Sequence, residues 1–379
     1  MRAARERARC VAPTGAQRTR FGEKPLYDEG LWELGHGVYA WLVPNGSWGE
    51  ANAGLVVGEG QSVLIETLWD LPKTRAMLEA MEPFRASAPI TTVINTHGDG
   101  DHFFGNQLLP EAETVTSRSA ARQMAHNHPR AMGSLARLGG VLGTLPFGSA
   151  RDTGHWIKAM GAPYDFAGIT PRPADHSFEG ELELERGGRG LRLIEVGPAH
   201  TEGDLLAHVP GAGVLFAGDI LFIGSTPAIW AGPLKNWLRA LDLIERLAPE
   251  IIVPGHGPLT DLSGVAQVRG YWEFVAEAAR ARFAQGLGAD AAARDIAAGG
   301  GFAAAGYLQW DSPERLAMNC HMLYREFQGV TGAPSTAQIL NMLRSQAVLA
   351  HTLPNTRPAS MRRNAAGAAA ETATRRQGP

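Results

Sequence analysis

The stretch INTHGDGDHFFGN, residues 94–106, packs two histidines and two aspartates into the six positions from His97 to His102, spaced by glycine. Imidazole and carboxylate at this density can form a divalent-metal site, a calcium loop or a polar turn. The calcium reading fails. An EF-hand loop counted from Asp99 needs Asp or Asn at its fifth position and Glu at its twelfth, where this chain has Phe103 and Pro110.

Three further stretches repeat one pattern. GPAHTEGD (197–204) carries His200, FAGDILF (216–222) carries Asp219 and VPGHGPL (253–259) carries His256, each after an apolar β-type run and inside a Gly-rich turn. Side chains that recur at strand ends collect along one edge of a sheet. The pooled donors are His97, Asp99, Asp101, His102, His200, Asp219 and His256, all nitrogen or oxygen and suited to zinc, iron or manganese. Seven donors are too many for one small ion. They suit two, with one carboxylate shared. Such a pair acidifies a bridging water, and the hydroxide becomes the nucleophile, so no Ser or Cys nucleophile is needed. There is also no G-x-S-x-G elbow.

The ordered set resembles the metallo-β-lactamase superfamily, whose pattern is H-x-H-x-D-H, then a distant His, an Asp and a last His. The resemblance covers roughly residues 30–262. It implies a four-layer αββα sandwich of α/β class with metals at its edge. It also implies that His97, Asp99 and His200 hold one ion, that Asp101, His102 and His256 hold the other, and that Asp219 bridges them. Asp101 would also orient the hydroxide, as the catalytic residue. Here the motif reads H-x-D-x-D-H: Asp99 stands where the family has imidazole. The extra negative charge favours harder ions, so the cofactor expectation is two divalent metals, zinc with iron or manganese as alternatives. A carboxylate there also resembles the di-iron branch of the superfamily. That keeps a di-iron redox enzyme as the alternative to a hydrolase of a small ester, lactone, thioester or amide. Glu66, Thr67, Asn95, Thr96 and Thr201, near the strand ends, are candidates to support the ligands.

These residues must be positioned by alternating strands and helices. Strand-type runs lie at 36–43, 53–57, 62–67, 90–96, 113–118, 191–197, 205–209, 214–218 and 250–257, with another starting at 177. Helical periodicity covers 71–82, about 119–128, 233–249, 266–287, 291–298 and 312–329, the last with Ser312 as its expected N-cap. The domain reading is a basic disordered leader at 1–24, a catalytic domain at 25–262, a C-terminal helical extension at 263–346 and a disordered tail at 347–379. Residues 129–176 read as an irregular insertion, either a lid or surface decoration. The extension suits a cap over the site or a homodimer contact.

Composition is that of a globular protein, 44% hydrophobic and 19% charged. Residues 1–20 carry +5 and residues 347–379 carry +4, so the overall −3 leaves −12 for 21–346. An acidic body argues against a nucleic-acid substrate. Cys10 and Cys320 are too few for a disulfide framework and fit a reducing, cytoplasmic setting. The basic start lacks the apolar run of a secretory signal, and no stretch is apolar enough for a membrane span. The expected partner is a small molecule, with Trp230, Lys235 and His155 as candidate substrate contacts. Trp48, Phe103, Phe104, Trp156, Phe222 and Trp237 also lie near the expected loops, which suits an apolar or aromatic acyl group.

Overall fold

Short β-rich runs punctuated by Gly and Asn build two sheets. A computed structural model describes residues 6–19, 24–44, 48–146 and 148–353. The first sheet takes β1 (Arg9–Pro13), β2 (Gly30–Gly35), β3 (Val38–Leu42), β4 (Ala53–Val57), β5 (Ser62–Ile65), β6 (Ile90–Ile94), β7 (Glu113–Ser117) and β8 (His176–Phe178), in that spatial order. Its neighbours are antiparallel up to β5 and parallel from β5 to β8. The second takes β9 (Glu181–Arg186), β10 (Arg189–Glu195), β11 (Leu205–Val209), β12 (Val214–Phe216) and β13 (Ile251–Val253), with only β12 and β13 parallel.

Parallel neighbours need crossover connections, and helices supply them. Helix α1 (Leu71–Arg85) joins β5 to β6. Helices α2 (Arg118–His126), α3 (Pro129–Gly143) and α4 (Ser149–Gly161) lie between β7 and β8, and α5 (Leu234–Leu247) lies between β12 and β13. Asp70 caps α1 by accepting from Lys73 N at 2.8 Å, and Ser117 caps α2 through Ala120 N.

The central strands β4, β5, β11, β12 and β13 read as unbroken apolar runs because both of their faces are covered. In β5, Val63 and Ile65 point between the sheets while Leu64 packs beneath α1 with Met77 and Met81. In β12, Val214 and Phe216 point between the sheets while Leu215 packs against Trp237, Leu241 and Ile244 of α5. This two-residue alternation produces the αββα layering. Helices α6 (Leu262–Ala284), α7 (Ala289–Ala298), α8 (Arg315–Phe327) and α9 (Thr336–Thr352) extend the core on the α5 side. Leu343, Ala347 and Ala350 of α9 also meet Trp156, Ile157 and Met160 of α4.

Four expectations are corrected. The leader is not disordered at 9–13: β1 pairs with β2, Arg9 bonds Glu33 at 2.9 Å, and Val11 and Ala12 pack on the core beneath α1. Residues 129–143 and 149–161 form two helices packed as a hairpin. Its glycines are the crossing point, since a Cβ on Gly154 would lie 2.3 Å from Gly143 N and 2.6 Å from Gly139 O. Residues 347–352 of the expected tail complete α9, anchored by the contacts to α4. Ser312 is not a cap: it lies at φ 53°, and Glu314 occupies the N-cap position of α8. Residues 1–5 and 20–23 of the expected leader and 354–379 of the expected tail lie outside the described residues. Among the described residues no helix is long and apolar enough to cross a membrane.

Candidate metal centre

Strands β6, β12 and β13 end on one edge of the sandwich, and the turns beyond them carry the donors. His97 to His102 follow β6, His200 lies between β10 and β11, Asp219 follows β12 and His256 follows β13. The structure brings all seven together. His97, Asp99 and His200 form one compact group, and Asp101, His102 and His256 form another. Asp219 stands between the groups. Its Oδ2 lies 3.3 Å from His200 Nε2, 3.3 Å from His256 Nε2 and 3.9 Å from His97 Nε2, and its Oδ1 lies 3.3 Å from His102 Nε2. Asp99 Oδ2 is 3.2 Å from His200 Nε2, and Asp101 Oδ2 is 3.7 Å from His256 Nε2.

Three of the four imidazoles, His97, His200 and His256, are hydrogen-bonded through the outer nitrogen, Nδ1. His200 Nδ1 donates to Ala228 O and His256 Nδ1 donates to Glu50 O at 3.0 Å. His102 Nδ1 faces Glu66 Oε1 at 3.2 Å. His97 Nδ1 donates to Thr96 Oγ1 at 3.0 Å, while that hydroxyl donates onward to Glu66. With protons placed on Nδ1, all four Nε2 lone pairs converge inward. The inward atoms His97 Nε2, His102 Nε2 and Asp219 Oδ1 are buried without hydrogen-bond partners. Buried polar atoms are rarely left so, and an inward shell of N and O donors fits divalent cations.

The backbone is shaped to match. A Cβ on Gly255 would sit 2.0 Å from Asp219 Oδ1, so only glycine lets that turn close on the carboxylate. Glu66 lies at φ 67°, a strained conformation that costs about 1–2 kcal/mol and aims its carboxylate at His102 and Thr96. Asn95 Nδ2 and Thr67 N both donate to His102 O. Thr201 and Ala199 donate to Asp204, which pins the His200 turn. All five expected supporting residues therefore lie against the centre. Glu50 O, Ala228 O, Asp204 and Gln123 were not anticipated, and Phe222, expected as a substrate wall, lies against a donor. Phe222 stacks on His256 at 4.9 Å with the rings 6° apart, and Gln123 Nε2 donates to Asp99 Oδ1 at 2.7 Å.

The substrate candidates fare differently. Trp230 lies beside the centre, its backbone N–H donating to His200 O. Lys235 is exposed in the first turn of α5. His155 Nε2 bonds Gly143 O at 2.9 Å and ties α4 to α3.

Crowded carboxylates control the protons here. Burial depresses the His97 imidazole, and the neighbouring His102 depresses it further. Burial also opposes charge on His200, but Asp219 and Asp99 outweigh it and bring His200 up to about 9. His102 is raised against burial by Asp219, Asp101 and Glu66. A cation must displace these protons, so divalent-metal affinity should rise with pH until His200 is neutral near 9. Chelator-competition titrations from pH 6 to 9 are expected to show a gain of at least about tenfold per unit, one proton's worth. A flat profile would remove His200 from the ligand set.

A two-sheet αββα sandwich with His and Asp donors along one edge defines a hydrolase-like metallo-fold. The family model described as "Metallo-beta-lactamase superfamily" matches residues 46–256, and the chain belongs to that superfamily. The "Probable metallo-hydrolase YqgX" of Bacillus subtilis (strain 168) is 34% identical over 99 residues, covering 25% of this chain and 46% of that protein. Two solved structures of sec-alkylsulfatase Pisa1 from Pseudomonas sp. share the fold. The inverting, stereoselective enzyme aligns with TM-score 0.59 and 17% identity over 84% of this chain and 58% of that one. A double mutant of Pisa1 aligns with TM-score 0.61 and 16% identity over 86% and 59%. The chain thus spans about half the length of these relatives, and the shared fold takes in more than the sandwich alone.

Proposed function

We propose that this protein is a two-metal hydrolase acting on a small ester, lactone, thioester or amide with an apolar acyl part. The observation that carries this reading is the placement of Asp219 within 3.3–3.9 Å of four inward imidazole nitrogens, between two three-donor groups. When bound, a metal pair would acidify water toward neutral pH and polarise the reacting oxygen of the substrate. Asp99 and Asp101 have side chains 27% and 16% exposed, against 4% or less for the other donors, so the centre opens on their side. Asp101 at that opening is the residue we assign to accept and orient the proton of the attacking water.

The apolar preference is supported by the walls. Trp48 is two residues from Glu50, whose carbonyl holds His256, and the backbone N–H of Trp230 donates to His200 O. Both pack against the α4–α9 cluster, where Trp48 meets the buried Trp156 edge-on at 4.9 Å. The hairpin α3–α4, clamped by α9, would serve as the roof of the substrate space. Free Cys10 and buried, free Cys320 support a reducing, cytoplasmic setting.

Metal analysis of the purified protein, with turnover of aryl ester, lactone, thioester and alkyl sulfate probes, tests this reading. About two zincs with hydrolysis of one acyl probe is the expected result. The sulfate arm is included because of the Pisa1 fold likeness. The carboxylate at Asp99 supports a second reading, a di-iron redox enzyme. Two irons with a visible absorption band and no hydrolysis would establish it instead.

A further inference from the structure

The carboxylate of Asp99 differs from an imidazole donor in more than charge. An imidazole held by Nδ1 presents one lone pair. A carboxylate presents two oxygens, and an unrestrained one can chelate a metal, swing to the neighbouring ion or bridge. Asp99 is also the most exposed of the seven donors, which gives it room to move.

Helix α2 removes that freedom. Gln123 Nε2 donates to Asp99 Oδ1 at 2.7 Å. The other oxygen, Oδ2, is left facing His200 Nε2 at 3.2 Å and His97 Nε2 at 3.9 Å. The amide orientation follows from chemistry, since the opposite flip would set two oxygens against each other. Gln123 Oε1 is buried and without a hydrogen-bond partner, so the bond to Asp99 is what holds this amide. The loop is built for the approach. A Cβ on Gly98 would lie 2.8 Å from Gln123 Cβ and 2.9 Å from its Cγ, and only glycine clears it. One helical turn later, Asn127 Nδ2 donates to Gly98 O at 3.0 Å, so α2 and its C-terminal cap grip residues 98 and 99 with two side-chain amides.

We propose that Gln123 is a positioning residue that confines Asp99 to one-oxygen contact with the His97–His200 half of the centre, and so sets the metal preference of that half. The inference rests on the two-metal reading. A neutral amide donor also draws charge from the carboxylate, which moves Asp99 toward the weaker donor strength of imidazole. Held to one oxygen, Asp99 keeps the low coordination number that zinc favours. Released, it could chelate, which suits larger and harder ions such as manganese.

The test is stepwise loading of the metal-stripped full chain with zinc and with manganese, by chelator competition. The variants are Gln123→Met, which keeps length and removes the donor, and Gln123→Glu, which sets a second carboxylate against Asp99. The melting temperature of each metal-free variant is measured alongside. In the unaltered chain two zinc steps are expected. Gln123→Met should weaken one step by about 10- to 100-fold, leave the other within about twofold, and lower the zinc-over-manganese ratio of the weakened step by about tenfold or more. Gln123→Glu should weaken the same step further. Two zinc steps that are indifferent to Gln123→Met would overturn the proposal. So would equal weakening of both steps with a lowered metal-free melting temperature, which marks a merely structural residue. A single zinc step in the unaltered chain would instead overturn the two-metal reading on which the proposal stands.

Discussion

Asp219→Ala is expected to lower kcat/KM by at least about a thousandfold, about 4 kcal/mol of transition-state stabilisation. The reason is its position. Asp99 and Asp101 each belong to one group of donors, whereas Asp219 lies near the inward nitrogens of His97, His102, His200 and His256 at once. Removing it takes the shared anion from both halves. It also takes away the charge that helps raise His102 and His200, so the substitution changes protonation across the centre. Metal content should fall with activity. Asp219→Asn keeps one oxygen and loses the charge, and should fall between the parent and the alanine variant. Steady-state kinetics with metal analysis of the same preparations reads both effects. Turnover equal to that of the parent would sink the two-metal model.

Trp237→Ala is expected to destabilise the fold by about 3–5 kcal/mol, the range for deleting a buried aromatic side chain. Trp237 is wholly buried in α5, tilted against Trp272 at a ring distance of 4.8 Å and edge-on to His200 at 6.1 Å. Its indole N–H donates to Ile220 O at 3.0 Å, one residue beyond Asp219. The substitution would empty part of the core beneath the metal centre and strand a buried carbonyl, which accounts for about 1–3 kcal/mol of that total. Trp237→Phe keeps most of the packing and loses only the N–H, so it separates the two contributions. Thermal unfolding of the metal-free proteins should show a fall on the order of 10 °C for alanine and a smaller one for phenylalanine. A fall under about 2 °C for alanine would mean that the site does not depend on this packing.

The two predictions probe parts of the molecule that were unequally legible. The seven donors could be read because each follows a β-type run, and a strand's end is a fixed place in an α/β fold. Glu66, Thr67, Asn95, Thr96 and Thr201 could be read for the same reason, being close in the chain to those ends. The two-residue alternation in β5 and β12 follows from runs such as SVLIET and VLFAG. The hairpin α3–α4 could not be read. Glycine lowers helix propensity, and its use here as the contact between two crossing helices depends on which helix lies opposite. Strand β1 was missed because an Arg-rich segment has little apolar pattern; its order comes from β2 and from Glu33.

By itself, then, the chain determined the chemistry available to the centre: which side chains are candidate donors, the turns that carry them, and a carboxylate at position 99. Those properties are local, set by residue type and by distance from a strand end. Tertiary structure decided the sharing and the restraint. Asp219 becomes common to two groups only when β6, β12 and β13 end on one edge. His200 and His256 are aimed by the carbonyls of Ala228 and Glu50, and a backbone carbonyl has no signature in residue type. Gln123 lies 24 positions from Asp99 in sequence, and only the packing of α2 against the glycine turn brings its amide to the carboxylate.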